Sequence, residues 1–98
     1  MLSRLPLIRQ ILTEILAPMV SAEGGELYLT TIHDREIAIH LAGRFAGSPG
    51  AGLIYQELAL PLIEAVAPGT SVHWSSGRII PNGAEELKAQ TDGAVASN

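Results

Sequence analysis

The chain of 98 residues, of which 47% are apolar, is long enough for one folded domain with a modest core and too short for two. Six basic against ten acidic residues give a net charge of -4, and basic residues form no cluster with aromatic ones, so nucleic acid is not an expected partner. Because the chain contains no cysteine, disulfides, thiolate nucleophiles, zinc fingers and cysteine-bound clusters are excluded.

The N-terminal segment does not have the pattern of a secretory signal. Residues 1–6 lack a charged region followed by a continuous apolar core and a small-residue cleavage site. No uninterrupted apolar run approaches the roughly 18 residues of a membrane span. We therefore expect a cytoplasmic protein without a membrane partner.

The first predicted element is an amphipathic helix from about residue 4 to about residue 21. Ser3 is the expected N-cap, and Pro6 falls in the first turn, where its missing N–H breaks no helical hydrogen bond. Pro18 is expected to end or kink the helix near Leu16. The apolar residues of this helix recur at helical spacing, at Leu5, Ile8, Ile11, Leu12, Ile15, Leu16 and Met19.

A glycine-rich turn and two strands follow the helix. Residues 23–26, Glu-Gly-Gly-Glu, contain two glycines that can adopt the positive φ of a helix stop. Residues 27–33 and 36–41 are rich in Ile, Leu, Thr and Tyr, which predicts two antiparallel strands joined at Asp34 and Arg35. The acids Glu23 and Glu26 could suggest a metal site, but oxygen-ligand sites usually recruit more than two carboxylates, which favours a simple turn.

The phase of the apolar residues changes within the first of these strands. A two-residue turn places Ile32 opposite Ile37, yet Leu27 and Leu29 are out of phase with Ile32 by one residue. An extra residue in the strand restores the burial of all three. The sequence therefore predicts a β-bulge near Thr30 and Thr31.

A second helix and a third strand complete the predicted fold. The apolar pattern predicts a helix over residues 53–66 that stops at residues 67–69, Ala-Pro-Gly, although Gly50 and Gly52 crowd its first turn and Pro61 requires a kink. Residues 70–75 form the third strand, with Val72 and Trp74 on one face.

The pattern weakens toward the C-terminus. Ile79 and Ile80 are expected to dock on the core. We place the domain at residues 1–83 and a flexible C-terminal tail at residues 84–98, with a possible short helix at residues 85–90.

Residues 41–49, Leu-Ala-Gly-Arg-Phe-Ala-Gly-Ser-Pro, resemble the signature of the NifU C-terminal domain family of iron–sulfur cluster carriers, Leu-x-Gly-x-Cys-x-x-Cys-Pro. Leu41, Gly43 and Pro49 are in register, and Phe45 and Ser48 stand where the two cysteines would be. The segment at residues 23–26 is similar to the family's Asp-Gly-Gly-Asp. The resemblance covers residues 5–76.

The resemblance implies an α+β, two-layer domain in which a small three-stranded mixed sheet packs against two helices. In the family, the loop cysteines of two copies hold a bridged cluster that passes to recipient apoproteins. Phe45 cannot coordinate iron and the hydroxyl of Ser48 is a hard donor, so neither a cluster nor another cofactor or metal is expected here.

Two functional hypotheses follow if the chain has the NifU-like fold but lacks the ligands of its cluster site. The first is a NifU-like accessory or adaptor protein in iron–sulfur cluster or metalloenzyme assembly, which docks partner proteins without carrying the cluster. The second is an oligomerisation or protein-interaction module unrelated to metal biology. The ring of Phe45 could turn inward and cap the core between the helices, or stay at the surface as an apolar anchor for a partner; its polar, glycine-rich neighbours favour the surface. The partner-binding residues are then Arg44, Phe45, Gly47, Ser48 and Pro49.

Three other sites are weaker alternatives. Residues 47–52, with Arg44, resemble an anion nest but lack the Lys-Ser/Thr of a P-loop. The three histidines, His33, His40 and His73, lack the spacing of a metal site. A triad of Ser48, a histidine and Asp34 has no nucleophile-elbow context, so we do not expect an enzyme.

Overall fold

The computed structural model describes residues 5–33 and 35–88. Its first element is one continuous helix, α1, made of the segments Leu5–Ile11, Leu12–Leu16 and Ala17–Ala22. The second helix, α2, consists of Pro49–Ile54, Tyr55–Ala59 and Leu60–Val66 in the same way. In both helices the middle segment is a π-helical turn.

The π turns explain how two helices continue through internal prolines. Ala17 N–H donates to the carbonyl of Leu12 and Leu60 N–H to that of Tyr55, five residues back in each case. One residue later come Pro18 and Pro61, which have no N–H to donate and whose rings would crowd the carbonyl four residues earlier in an α-helix. The wider turn accommodates the proline, so helix α1 continues to Ala22, close to the predicted end at about residue 21, and the end or kink expected near Leu16 is a π turn within a continuous helix.

Four strands form one mixed sheet. They are β1 (Gly25–His33), β2 (Glu36–Gly43), β3 (Ser71–Ser76) and β4 (Glu85–Glu86), in the order β3-β2-β1-β4. Strands β1 and β2 are antiparallel, β2 and β3 are parallel, and β1 and β4 are antiparallel. A parallel pair requires a long crossover connection, which α2 supplies. The predicted α+β class, with two helices and a mixed sheet, is confirmed.

The prediction of three strands is wrong, because β4 pairs with the free edge of β1. Leu87, which follows β4, donates its N–H to the carbonyl of Leu27 at 2.8 Å, and its side chain is buried in the core. Residues 84–88 therefore belong to the folded unit rather than to the predicted tail, and the helix predicted at residues 85–90 is wrong over residues 85–88. Residues 89–98 lie outside the described residues.

The hairpin has the predicted bulge. Leu29 pairs with Ile39 and Thr31 with Ala38, which leaves Thr30 as the extra residue in β1. The register then brings Ile32 opposite Ile37, as the change of apolar phase predicts. The bulge thereby keeps the apolar residues of β1 on the face that meets the helices.

The core lies between the helices and the sheet. Phe45, from the loop after β2, belongs to the same cluster of buried residues. Ile79 does not dock on it as predicted, since its side chain is 86% exposed. The fully buried larger side chains are Ile8, Leu12, Leu16, Val20, Leu27, Ile37, Ile39, Leu41 and Ile63.

Helix α1 is long and apolar enough, by length and composition alone, to cross a membrane. The same helix contributes Ile8, Leu12, Leu16 and Val20 to the core of the domain. A core helix of a soluble protein and a signal sequence both pass this test, so α1 is weak evidence for a membrane span.

Candidate functional site

The connection between β2 and α2 is a tight turn stabilised by its own backbone. Ala46 N–H donates to the carbonyl of Gly43 at 3.0 Å, and Ser48 N–H donates to that of Phe45 at 3.1 Å. Arg44 N–H reaches across to the carbonyl of Gly24 at 3.1 Å. This connection, residues 44–48, is therefore fixed to the Gly-Gly turn that precedes β1.

Phe45 points into the protein, so the prediction that it lies at the surface is wrong. Its side chain is only 8% exposed and joins the core cluster. The ring lies against Gly25, where an added Cβ would overlap Cδ2 of Phe45 and come within 3.0 Å of Val20. Gly50 lies on another side of the ring, with its Cβ position 3.5 Å from Cε1. Two glycines distant in sequence thus make the space that receives Phe45.

Ser48 caps helix α2. Its side-chain oxygen accepts a hydrogen bond from Gly50 N–H at 3.1 Å, its backbone is extended, and Pro49 occupies the first helical position. Ser at the N-cap followed by Pro at the first position is a common helix start. Ala51 N–H donates to the carbonyl of Ser48 at 3.1 Å. Because the N–H groups of Gly50 and Ala51 are already paired, they are not free to cradle the anion considered above.

The donor set of this turn does not fit an iron–sulfur cluster. One of the two positions in the signature holds a buried hydrocarbon ring, and the other holds a hydroxyl that accepts a backbone hydrogen bond. Iron in such clusters needs soft thiolate ligands, and the chain has none. No match is found among protein-family models, curated proteins or solved structures. The likeness to the NifU C-terminal domain rests on the residues and the element order of this chain.

Gly43 is packed against backbone on the side where a side chain would begin. It has φ +67°, and an added Cβ would lie 2.8 Å from the carbonyl oxygen of Gly24 and 3.0 Å from Cα of Gly25. The same register pairs Gly25 with Gly43 across the hairpin. The glycines of the two signature segments therefore meet at one close approach of the chain.

An open apolar groove of about 620 Å³ lies beside this turn, between the C-terminal end of α1 and the first half of α2. Leu53 is 60% exposed and Met19 42% exposed, so both sit on its accessible surface, whereas Phe45 is part of its floor. Two carboxylates, Glu23 and Glu57, also line it. The apolar lining consists of Met19, Ala22, Phe45, Leu53, Ile54 and Leu58.

A second, polar cavity of about 500 Å³ adjoins the apolar groove and shares Ala22, Glu23 and Phe45 with it. Arg44 and Ser48 also line this cavity, so three of the predicted partner-binding residues, with Phe45, border the same cavity. Gly47 and Pro49 are exposed beside them. The structure thus brings the predicted residues together, with Phe45 beneath the surface rather than on it.

Two of the three histidines share one carboxylate, and the third lies apart from them. His33 Nε2 lies 3.2 Å from one carboxylate oxygen of Glu36, and His73 Nε2 lies 3.7 Å from the other. All three side chains are exposed: His33 and Glu36 flank the hairpin turn, and His73 lies on β3. Among residues 5–33 and 35–88, no group of three or more His, Cys, Asp or Glu side chains could hold a metal ion.

His40 is the one buried polar side chain among those described, and its hydrogen bonds define its tautomer. Nε2 lies 3.0 Å from the carbonyl oxygen of Gly77, which only accepts, so Nε2 carries the hydrogen. In the neutral ring, Nδ1 then accepts from the hydroxyl of Ser75 at 2.8 Å. His40 thereby joins β2 to β3 and to the turn that follows β3.

Removing the hydroxyl of Ser75 is expected to destabilise the fold. Ser75→Ala leaves Nδ1 of a side chain that is 4% exposed without its partner, which costs about 1 to 3 kcal/mol. Ser71→Ala, on the same strand and also exposed, is the matched control and should cost less than about 0.5 kcal/mol. Urea unfolding measures both, and equal midpoints would show that the hydrogen bond to His40 contributes nothing.

Aromatic stacking fixes β3 to α2. The rings of Tyr55 and Trp74 are stacked with centroids 5.5 Å apart, and the Tyr55 hydroxyl donates to the carbonyl of Val72 at 3.1 Å. Burial, with a contribution from the Glu64 carboxylate, raises the pKa of Tyr55. The stack and the hydrogen bond join the crossover helix to the edge of the sheet.

Met19 and Leu53, on the rim of the apolar groove, were not among the predicted site residues. The sequence contained a signal for this surface, because α1 has more apolar residues, Met19 among them, than the core buries. Ile15 and Leu7 are exposed on the same helix. Apolar residues in excess of one buried stripe indicate a second apolar surface on a helix.

Proposed function

We propose that this protein is a NifU-like accessory or adaptor module in iron–sulfur cluster or metalloenzyme assembly, which docks a partner protein in the apolar groove and carries no cluster. The observation that carries this proposal is the apolar groove itself, which lies directly beside the loop that resembles the cluster-binding loop. The side chains at both former ligand positions serve the fold, one by filling the core and one by capping α2. The apolar groove beside the loop is therefore the surface proposed to recognise the partner protein.

The element order supports the family part of the proposal. A helix, a Gly-Gly turn, a hairpin, a Gly/Pro loop, a helix and a strand follow one another, which is the order that the resemblance implies. The loop and the turn that carry the likeness meet in space through Arg44 and Gly24. An accessory protein with this fold could dock a partner without any thiolate, because it carries no cluster.

A second candidate function is self-association, and the edge strand β3 favours it. β3 is the outer strand of the sheet on one side, and Trp74 on it is 39% exposed. Unpaired edge strands are templates for pairing with another chain. Light scattering discriminates the two functions: the adaptor proposal expects a monomer at micromolar concentration, and a dimer that Trp74→Lys dissociates would favour self-association.

Reconstitution with iron and sulfide under anaerobic conditions is expected to give no stable cluster. No thiolate is available, and Ser48 is engaged by Gly50 N–H. Iron bound after desalting should be near background, and no charge-transfer absorption should appear. About half a cluster per chain, as a bridged dimer requires, would contradict the proposal that the module carries none.

A photo-crosslinking amino acid at Leu53 tests the docking proposal in cells. Leu53 is 60% exposed on the rim of the apolar groove, whereas Ile79, 86% exposed and outside the lining, provides the matched control position. We expect a crosslink from position 53 to an iron–sulfur or metalloenzyme maturation protein and none from position 79. Crosslinks from position 53 only to other copies of this chain would contradict the adaptor function.

A further inference from the structure

The apolar groove has a negatively charged rim. Glu23 and Glu57 are the charged residues that line it, both are exposed, and neither forms an ion pair with a described residue. Glu23 is also the C-cap of α1, at the end of the helix where the dipole is negative. The last turn before it contains no basic residue. The carboxylate and the helix dipole therefore add to one another at this end of the groove.

The negative rim argues against a second copy as the occupant. Two copies placed groove to groove would bring four carboxylates and two negative helix ends around one apolar contact, and the lining of the groove contains no cation, since Arg44 lines the adjoining polar cavity with Glu23. Like charges brought together in an interface oppose association. The same rim favours a partner that carries Lys or Arg beside its apolar residues.

The lining also limits the backbone conformation of the occupant. The groove lies between two helices, and most of the residues that line it present hydrocarbon. An extended segment would lose backbone hydrogen bonds to water and find few partners there, whereas a helix satisfies its own N–H and C=O groups. Apolar grooves between helices take amphipathic helices in this way.

We infer that the apolar groove binds an amphipathic helical segment of the partner protein. Aliphatic residues at positions i, i+3 or i+4, and i+7 contact Met19 and Leu53, and flanking Lys or Arg residues lie against Glu23 and Glu57. This inference rests on the proposed adaptor function and specifies the chemistry of the partner.

Selection from a library of random 16-residue peptides displayed on phage tests this inference without a known partner. The unaltered protein should enrich peptides that have helical aliphatic spacing and at least two flanking basic residues. Leu53→Asp should abolish the enrichment. The double variant Glu23→Lys/Glu57→Lys should bind the selected basic peptides at least about tenfold more weakly, since two attractions become repulsions.

A matched double variant controls for net charge. Glu14→Lys/Glu64→Lys makes the same change of charge on exposed positions of α1 and α2 outside the groove lining, and should leave the affinity within about twofold. Circular dichroism establishes that all variants are folded.

The outcomes separate this inference from the proposed function. The inference would be overturned if the enriched peptides were neutral or acidic or lacked helical spacing, or if no peptide were enriched. Equal weakening of binding by both charge variants would also overturn it. The crosslink from position 53 in cells decides the adaptor function independently. A crosslinked partner together with any of these peptide results would leave the adaptor function standing and remove only the amphipathic basic helix.

Discussion

Alanine at Gly43 is expected to destabilise the fold by at least about 2 kcal/mol, the sum of backbone strain at positive φ and overpacking. Gly43 has φ +67°, and its added Cβ would meet backbone atoms of Gly24, Gly25 and Glu26 at 2.8 to 3.2 Å. These atoms belong to the hairpin and to the turn before it, so they cannot rotate away as a side-chain end would. Urea unfolding monitored by the fluorescence of Trp74 measures the change.

Gly47 is the matched control for this substitution. It has φ +72°, nearly the same as Gly43, but nothing lies within 4 Å of its Cβ position. Gly47→Ala therefore carries the strain alone, about 1 to 2 kcal/mol. Equal losses for the two variants would show that the close approach of the turn to Gly43 does not matter.

Phe45→Ala is expected to cost about 3 to 5 kcal/mol, as for other large core side chains that are truncated to alanine. The ring is 8% exposed and fills the space between Val20, Gly25 and Gly50. For a domain of this size, total stability is about 5 to 15 kcal/mol, so this loss threatens the fold at physiological temperature. Thermal unfolding of Phe45→Ala beside the milder Phe45→Leu measures it.

The contact of Phe45 with Gly25 can be isolated by a double-mutant cycle. Gly25→Ala alone would force the ring out of place, because its Cβ would overlap Cδ2 and lie 2.6 Å from Cε2. In the Phe45→Leu background the same alanine has more room and should cost less. A coupling of about 0.5 to 3 kcal/mol is expected for two residues in contact. If the losses of stability from Gly25→Ala and Phe45→Leu were simply additive, the ring of Phe45 would not contact Gly25.

The regular elements were predictable because their signals are local. Helical spacing located α1, and the change of apolar phase between Leu29 and Ile32 located the bulge at Thr30. β4 was missed because it has two exposed residues and is held by backbone pairing, which leaves no pattern in the side chains. The π turns were missed because a proline in a helical pattern predicts a stop or a kink, whereas a wider turn just before each proline lets the helix continue.

The inward position of Phe45 could not be read from its neighbours in sequence. Arg44, Gly47 and Ser48 are polar or small and suggested a surface loop, but the space for the ring is made by Gly25, twenty residues earlier. The apolar groove likewise requires the ends of α1 and α2 to lie side by side. Such sites form where segments distant in sequence come together in space, and local sequence patterns do not show which segments do so.

In the adaptor proposal, partner proteins dock in the apolar groove and not at a cluster on the loop. Its most direct test is the amount of crosslink-identified partner that co-purifies with Leu53→Asp compared with Ile79→Asp, two exposed aliphatic residues changed in the same way. Leu53→Asp should weaken binding by about 2 kcal/mol or more, as at an interface hot spot, and Ile79→Asp should not. Full retention of the partner by Leu53→Asp would place the docking surface elsewhere and contradict the adaptor proposal.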